Sequence, residues 1–151
     1  MGQQGSAERR AMTAEAREAS IALMKRTRMV LLSTLDQEGR PEARALFNLL
    51  KFRAKALSSG PAAIEDFATF VGTNASSRKA GQLRADGRCH LYYSDTASME
   101  GLGLGGTMEE VLEDDVKAAV YAKSWDMYYP GGLRGGDFCL MRFLPERGRY
   151  Y

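Results

Sequence analysis

Residues 73–79 read Thr-Asn-Ala-Ser-Ser-Arg-Lys, a small polar segment between an apolar run and residues with helical spacing. The apolar, β-rich residues before this segment predict a strand over residues 67–73. The spacing of apolar and polar residues after it predicts a short helix over residues 76–86. The segment is therefore expected to place the N-terminus of a helix directly after the end of a strand.

Two basic residues, Arg78 and Lys79, fall in the first turn of this helix. Cations there oppose the helix dipole, whereas the dipole and the free backbone N–H groups favour an anion. A phosphate would accept a bidentate contact from Arg78 and a point-charge contact from Lys79. The hydroxyl of Ser76 or Ser77 would add a further donor. The spacing alone leaves a second reading open, in which the helix is simply capped and both basic side chains are solvated.

The rest of the chain alternates β-rich runs with two longer helical segments. The predicted strands cover residues 29–35, 41–49, 89–94, 99–111 and 138–143, with Pro145 ending the last, and the predicted helices cover 14–28 and 113–128. Thr13 is expected to cap the first helix. Glycine at every second position from Gly101 to Gly105 predicts a strand that something approaches closely on one side. Antiparallel strands with helices outside the sheet predict an α+β fold, and we expect a barrel.

Length and composition are those of one globular domain: 151 residues, 44% hydrophobic and 26% charged. We expect a flexible N-terminal lead over residues 1–12 and a single domain over residues 13–151. A net charge of +2 does not favour bulk binding of nucleic acid. No apolar run approaches the roughly 20 residues of a membrane helix, and no secretory signal is visible. These observations predict a cytoplasmic protein.

The residues that most often carry catalysis are sparse in this sequence. Cys89 and Cys139 each lie in an apolar, strand-like run and are expected to be buried thiols rather than a disulfide. The single histidine, His90, is expected to be structural and has no cluster of further ligands for a zinc ion. No catalytic triad can be read from the sequence, so no catalytic residue and no metal site are predicted.

Three aromatic residues, Trp125, Tyr128 and Tyr129, lie together at the end of the last predicted helix. Packing, or a contact between two copies of the chain, is the expected role of such a cluster. Stacking on a ligand is the alternative.

The run from Phe70 to Leu83, FVGTNASSRKAGQL, resembles the phosphate-binding strand–loop–helix of the pyridoxamine 5'-phosphate oxidase-like superfamily. The later residues 125–132, 137–145 and 150–151 are similar to those of the bacterial general stress proteins within it. The resemblance covers about residues 20–151. It implies an antiparallel split β-barrel with flanking helices and a homodimer with flavin at its interface. The implied cofactor is FMN, with FAD as the alternative.

The resemblance also implies roles for individual residues. Arg78 and Lys79 match the residues that grip the FMN phosphate, and Ser77 stands beside them. The other matched residues contact the flavin from two strands: Gly72 and Thr73 at one strand end, and Arg44, Ala45, Leu46 and Phe47 along the second strand of the chain.

Several residues depart from the pattern of the oxidase itself. Leu49 stands where the oxidase has a lysine that serves its substrate, and Lys51 lies two residues further, about 7 Å along an extended chain. Gly101 stands where the oxidase has a glutamine near the flavin ring. The substrate-phosphate residues and the C-terminal segment of the oxidase have no match here. Pyridoxamine phosphate oxidase activity is therefore not expected.

Three functional hypotheses follow from the sequence. The first is a flavin-binding split-barrel protein of the general stress type. The second is a flavin-dependent oxidoreductase that acts on a small or cofactor-like substrate, for which no residue can be named as acid or base. The third is a barrel that has lost its flavin site and acts through its dimer or through another ligand, for example haem, for which His90 is the only histidine available as an axial ligand.

Overall fold

The structure is a computed structural model that describes residues 11–151. The predicted N-terminal lead lies outside the described residues except for Ala11 and Met12. The helices are α1 (Ala14–Arg26), α2 (Leu49–Phe52), α3 (Ala54–Leu57), α4 (Arg78–Ala85) and α5 (Asp114–Val120). The strands are β1 (Met29–Leu35), β2 (Pro41–Phe47), β3 (Thr69–Asn74), β4 (Arg88–Asp95), β5 (Glu100–Glu110) and β6 (Phe138–Tyr150). Short 3-10 helices cover Gly60–Ala62, Lys123–Met127 and Gly132–Arg134.

The six strands form one antiparallel sheet in the order β2-β1-β4-β5-β6-β3. β1 and β2 form the predicted hairpin, with Met29 opposite Phe47. β2 and β3 lie at the two edges, and the sheet curls into a half-barrel flanked by the helices. The predicted α+β class with an antiparallel split barrel is therefore confirmed.

The inner face of the sheet carries the hydrophobic core, because successive side chains of a strand point to opposite faces. Leu91 and Tyr93 on β4, with Leu102 and Leu104 on β5, are at most 1% exposed. Burying each such side chain contributes roughly 1.5–3 kcal/mol to folding. Leu23 of α1 also lies in this core. The predicted cap of α1 is confirmed, because the Thr13 side chain accepts a hydrogen bond from the Ala16 N–H at 3.2 Å.

The helix predicted over residues 113–128 is wrong in its second half, because α5 ends at Val120. The Arg53 side chain donates to the carbonyl oxygens of Val120, at 2.7 Å, and Tyr121, at 3.3 Å. These bonds satisfy carbonyl groups that an ended helix leaves free. The chain then forms a separate 3-10 helix, Lys123–Met127, whose Asp126 accepts a hydrogen bond from the hydroxyl of the preceding Tyr121 at 2.7 Å.

Two strand ends also differ from the prediction. β2 stops at Phe47 rather than at residue 49, because the buried Asn48 caps α2 and donates to the carbonyl oxygens of Met24 and Thr27 at 2.6 and 2.7 Å. β6 continues past Pro145 to Tyr150. A register shift between Gly105 and Gly106 accompanies the proline, which lies opposite Gly106. Such an irregularity lets a strand tolerate a residue without an N–H donor.

Candidate ligand-binding cavity between the sheet edges

A cavity of about 630 Å³ lies between the two edge strands and the chain that follows α5. Its volume is in the range of small-molecule and cofactor sites. Consecutive residues of β2 and of β3 line it, as expected at strand edges, where one side of the backbone has no pairing partner. Six of the nine predicted site residues line the cavity: Ala45, Leu46, Phe47, Gly72, Thr73 and Lys79.

Lys79 gives this cavity a positive end. It lies in the first turn of α4, and no carboxylate of the described residues lies within 4 Å of its ammonium group. Partial burial lowers the pKa of Lys79, and the positive charge of Arg44 lowers it further. An anion in the cavity would act in the opposite direction, because it favours the charged ammonium.

Arg44 lies behind the cavity rather than in its wall. Its guanidinium donates to the Thr34 hydroxyl at 2.6 Å and to the side-chain oxygen of Gln82, on α4, at 3.2 Å. Burial lowers the pKa of Arg44; the Glu42 carboxylate opposes this shift, whereas the charge of Arg78 adds to it. Arg44 is therefore held under α4 beside two other cations.

Arg78 also lies outside the wall of the cavity. Its side chain is 74% exposed and forms an ion pair with Glu42. Glu42 pairs with Arg44 as well, at 3.4 Å, so one carboxylate faces two guanidinium groups while Lys79 has none. The cluster of Arg44, Arg78 and Lys79 with Glu42 therefore carries a surplus of positive charge.

Glu42 is a site residue that the sequence analysis missed. A signal existed, because Glu42 lies two residues before Arg44 and so on the same face of β2. Its contact with Arg78, which is 36 residues away in sequence, depends on how α4 packs against β2.

Ser77 caps α4 rather than lining the cavity. Its Oγ accepts a hydrogen bond from the Ala80 N–H at 3.3 Å and lies 3.2 Å from the Thr73 hydroxyl. Asp137 holds the loop before it, since its carboxylate accepts from the Asn74 side chain at 2.7 Å and from the Ser76 N–H at 3.0 Å. These bonds, that of Asn74 first, hold the pKa of Asp137 below its usual value. The strand–loop–helix turn is thus fixed by local and distant hydrogen bonds.

The aromatic cluster forms the opposite wall of the cavity. Trp125, Tyr128 and Tyr129 all line it. Tyr129 is also buried against Phe138, with the ring centroids 5.1 Å apart, so the expected packing role is confirmed for this residue. Tyr128 remains 54% exposed. The cluster therefore contributes to both the core and the cavity wall, so the alternative of stacking on a ligand stays open.

His90 lies elsewhere, in a groove of about 280 Å³ on the outer face of the sheet that shares no lining residue with the cavity. Its ring lies over Gly103, where an added Cβ would come within 3.0 Å of it, and Arg147 lies over Gly105 in the same way. The predicted close approach to the glycine side of β5 is thus confirmed. Burial lowers the pKa of His90, and Arg147 lowers it further.

The two cysteines are free, as predicted. Burial is the main reason that the pKa of Cys89 rises to about 12 and that of Cys139 to about 11, so neither forms a reactive thiolate near neutral pH. Within residues 11–151, no three potential metal ligands gather into a group. No helix in this same part of the chain is long and apolar enough to cross a membrane.

These features define an antiparallel half-barrel whose edge strands flank a cavity that Lys79 lines from the start of α4 and that has one aromatic wall; Arg28 and Arg53 also line it. The family model described as pyridoxamine 5'-phosphate oxidase matches residues 15–151, and the chain belongs to this family. A search of the curated proteins finds no match.

Solved structures share the fold at low sequence identity. A Clostridium acetobutylicum protein related to general stress protein 26 of B. subtilis is 24% identical, with a TM-score of 0.73, over 93% of this chain and 90% of that one. General stress protein 26 from Bacillus anthracis is 17% identical, with a TM-score of 0.65, over 89% and 92%. A haem-binding protein from Mycobacterium smegmatis is 20% identical, with a TM-score of 0.64, over 94% of this chain but 55% of that one. The family model confirms the predicted superfamily, and these structures share its fold, while membership of the general stress branch stays a prediction.

Proposed function

We propose that this protein binds FMN in the cavity between β2 and β3. The observation that carries the proposal is Lys79, a partly buried cation that lines the cavity from the first turn of α4 without a carboxylate partner among the described residues. Two guanidinium groups and one ammonium group lie near this end of the cavity with a single carboxylate, so positive charge is in excess there. A dianionic phosphate would neutralise this excess.

The remaining wall suits a flat, largely apolar ring with polar edges. Ala45, Leu46 and Phe47 present a strand edge, whose free backbone groups can pair with the polar edge of a ring, while Trp125 and Tyr128 supply aromatic surface. The residues present therefore fit a flavin. Arg78 and Lys79 would bind its phosphate, and Gly72, Thr73 and Ser77 would lie beside it, at the end of β3 and the start of α4.

A bound flavin would supply hydride or electron transfer, and the protein would bind and orient it. The described residues that line the cavity include no aspartate, glutamate, histidine or cysteine. Any proton at a substrate atom would have to come from Lys79, a hydroxyl of a lining serine, threonine or tyrosine, or water. This composition supports a flavin-binding protein more strongly than the alternative, a flavin-dependent oxidoreductase with its own acid or base.

A second copy of the chain would complete the site. Four exposed apolar side chains lie together on the outer side of the β1–β2 hairpin and α2, each 39–53% exposed: Met29, Leu31, Phe47 and Phe52. Phe47 and Phe52 meet edge to face, with centroids 5.6 Å apart, and both line the cavity. An exposed apolar patch of this kind indicates an interaction surface, and a homodimer that covers it would shield the flavin from water.

Two other ligands have less support. FAD needs room for an adenosine beyond the phosphate end, where the side chains of Arg78 and Glu42 lie. Haem at His90 would occupy the outer groove, which has less than half the volume of the cavity.

The first experiment combines ligand and mass detection. Purified protein is incubated with FMN, FAD or buffer and passed over a sizing column with light scattering and visible absorbance, and released cofactor is identified by chromatography. We expect flavin absorbance from FMN to elute with a species of twice the 16.6 kDa chain mass. Absence of bound flavin at saturating FMN would contradict the cofactor assignment, and a flavin-loaded species of single-chain mass would contradict the dimer.

A further inference from the structure

We propose that Glu42 is a built-in competitor for the phosphate site: its carboxylate holds the cations of the site and thereby limits how tightly the protein retains a phosphorylated flavin. The inference rests on the proposed FMN function. It adds a residue that weakens binding, whereas the residues considered so far all favour it.

The contacts of Glu42 place it at the centre of the cationic cluster. One carboxylate oxygen pairs with the guanidinium of Arg78. The other accepts from the Gln82 side-chain amide at 2.8 Å and lies 3.4 Å from the Arg44 guanidinium. Glu42 therefore holds donors from both β2 and α4 with its two oxygens.

Burial makes this carboxylate a fixed part of the site. The side chain of Glu42 is 28% exposed and is held by three partners, whereas that of Arg78 is 74% exposed and, among residues 11–151, has Glu42 as its one partner. When a phosphate binds at the start of α4, Arg78 has to leave Glu42 or be shared with it. The carboxylate stays beside the arriving dianion in either case.

This arrangement opposes phosphate binding in two ways. The pair with Arg78 must be weakened, and a negative charge remains close to a ligand of the same sign. In return, the carboxylate reduces repulsion between Arg44 and Arg78 while no anion is bound, in agreement with its opposing effect on the lowered pKa of Arg44. The carboxylate thereby lowers the affinity of the site for a phosphorylated flavin.

The effect should depend on the phosphate group and not on the flavin ring. FMN and riboflavin share the ring and the ribityl chain, and only FMN carries a phosphate. A change at Glu42 should therefore alter the affinity for FMN and leave the affinity for riboflavin as it was.

The test is a titration of wild type and Glu42→Gln with FMN and with riboflavin at one fixed ionic strength. The glutamine keeps the shape of the side chain and removes its charge. We expect the FMN dissociation constant to fall about 5- to 10-fold, where tenfold corresponds to about 1.4 kcal/mol, and that for riboflavin to stay within about twofold. Glu109→Gln is the matched control, because its carboxylate pairs with Arg142 and does not line the cavity.

The outcomes separate the two proposals. If wild type binds FMN and Glu42→Gln binds it equally or more weakly, Glu42 orients the cations instead of competing for them, and the inference fails while the FMN site stands. If the riboflavin affinity changes as much as that for FMN, the role of Glu42 is not electrostatic and the inference also fails. If neither protein binds FMN, the proposed function fails and the competitor role fails with it. A thermal unfolding curve for each variant verifies that the fold is kept.

Discussion

The two ends of α4 carry basic residues in opposite circumstances. At the C-terminal end, the Arg84 guanidinium meets both oxygens of Glu110, at 2.7 and 3.0 Å, and donates to the Ala75 carbonyl oxygen at 2.8 Å. At the N-terminal end, Lys79 has no carboxylate among the described residues, and Arg78 shares Glu42 with Arg44. One end is balanced in charge and the other is not.

The helix dipole sharpens this difference. A cation at the C-terminus of a helix is stabilised by the dipole, whereas a cation at the N-terminus is opposed by it. The position of Arg84 is explained by stability alone, since it ties α4 to β5. The positions of Arg78 and Lys79 reduce stability without a ligand, so they indicate a binding function. A basic residue indicates a bound anion where no carboxylate of the protein balances its positive charge.

The largest effect should come from removing the unbalanced charges. In the double variant Arg78→Ala with Lys79→Ala, we expect FMN affinity to fall by about 100-fold, because two charge-assisted contacts to phosphate are lost. Riboflavin affinity should change by no more than about twofold. Fluorescence titration measures both constants.

The matched control removes two charges elsewhere. Lys25 and Lys55 are exposed and form no ion pair with another described residue, so Lys25→Ala with Lys55→Ala should leave FMN binding within about twofold. Equal losses in the two double variants would show that net charge, rather than the N-terminal end of α4, governs binding.

A smaller effect should follow from titrating Lys79. Its pKa is held below the usual lysine value of about 10.4 by burial and by Arg44, and only the charged ammonium binds phosphate. FMN affinity should therefore be full at neutral pH and fall as the pH rises through this lowered pKa, by up to about tenfold per pH unit. Titrations from pH 7 to pH 10 measure the decline, with riboflavin as the reference for ionisation of the ring.

Lys79→Arg tests the origin of that decline. Arginine stays charged throughout this range, so the alkaline loss of FMN affinity should disappear in the variant. An alkaline loss that persists unchanged in Lys79→Arg would assign it to another group.

The smallest effect should come from the balanced end of α4. Arg84→Ala breaks a partly exposed ion pair, and we expect the free energy of unfolding to fall by about 1 kcal/mol while FMN affinity stays the same. Arg84 lowers the pKa of Glu110, so the contribution of the pair is present at neutral pH and is lost as the pH falls below about 4. Urea unfolding at pH 7 and pH 3 measures both values. A loss of FMN binding in Arg84→Ala would contradict the claim that only the N-terminal end of α4 takes part in binding.

Local patterns predicted most of the architecture. The apolar runs predicted all six strands, and the polar segment before Arg78 predicted the start of α4. The ends of elements were less predictable where a distant residue sets them. α5 stops at Val120 because Arg53, 67 residues away, donates to its carbonyl groups. β6 continues through Pro145 because the irregularity opposite it, at Gly106, accommodates a residue without an N–H.

The sequence by itself determined that a strand end meets a helix start at residues 73–79 and that two cations stand in the first helical turn. Those features depend on residues close to one another in the sequence, so their spacing can be read from the sequence directly. Only the tertiary structure decided which charges are neutralised. Glu42 reaches Arg78 and Glu110 reaches Arg84 because β2 and β5 pack beside α4, and Lys79 is left to face the cavity. Ionic balance depends on distances between residues that are remote in sequence, and folding alone sets those distances.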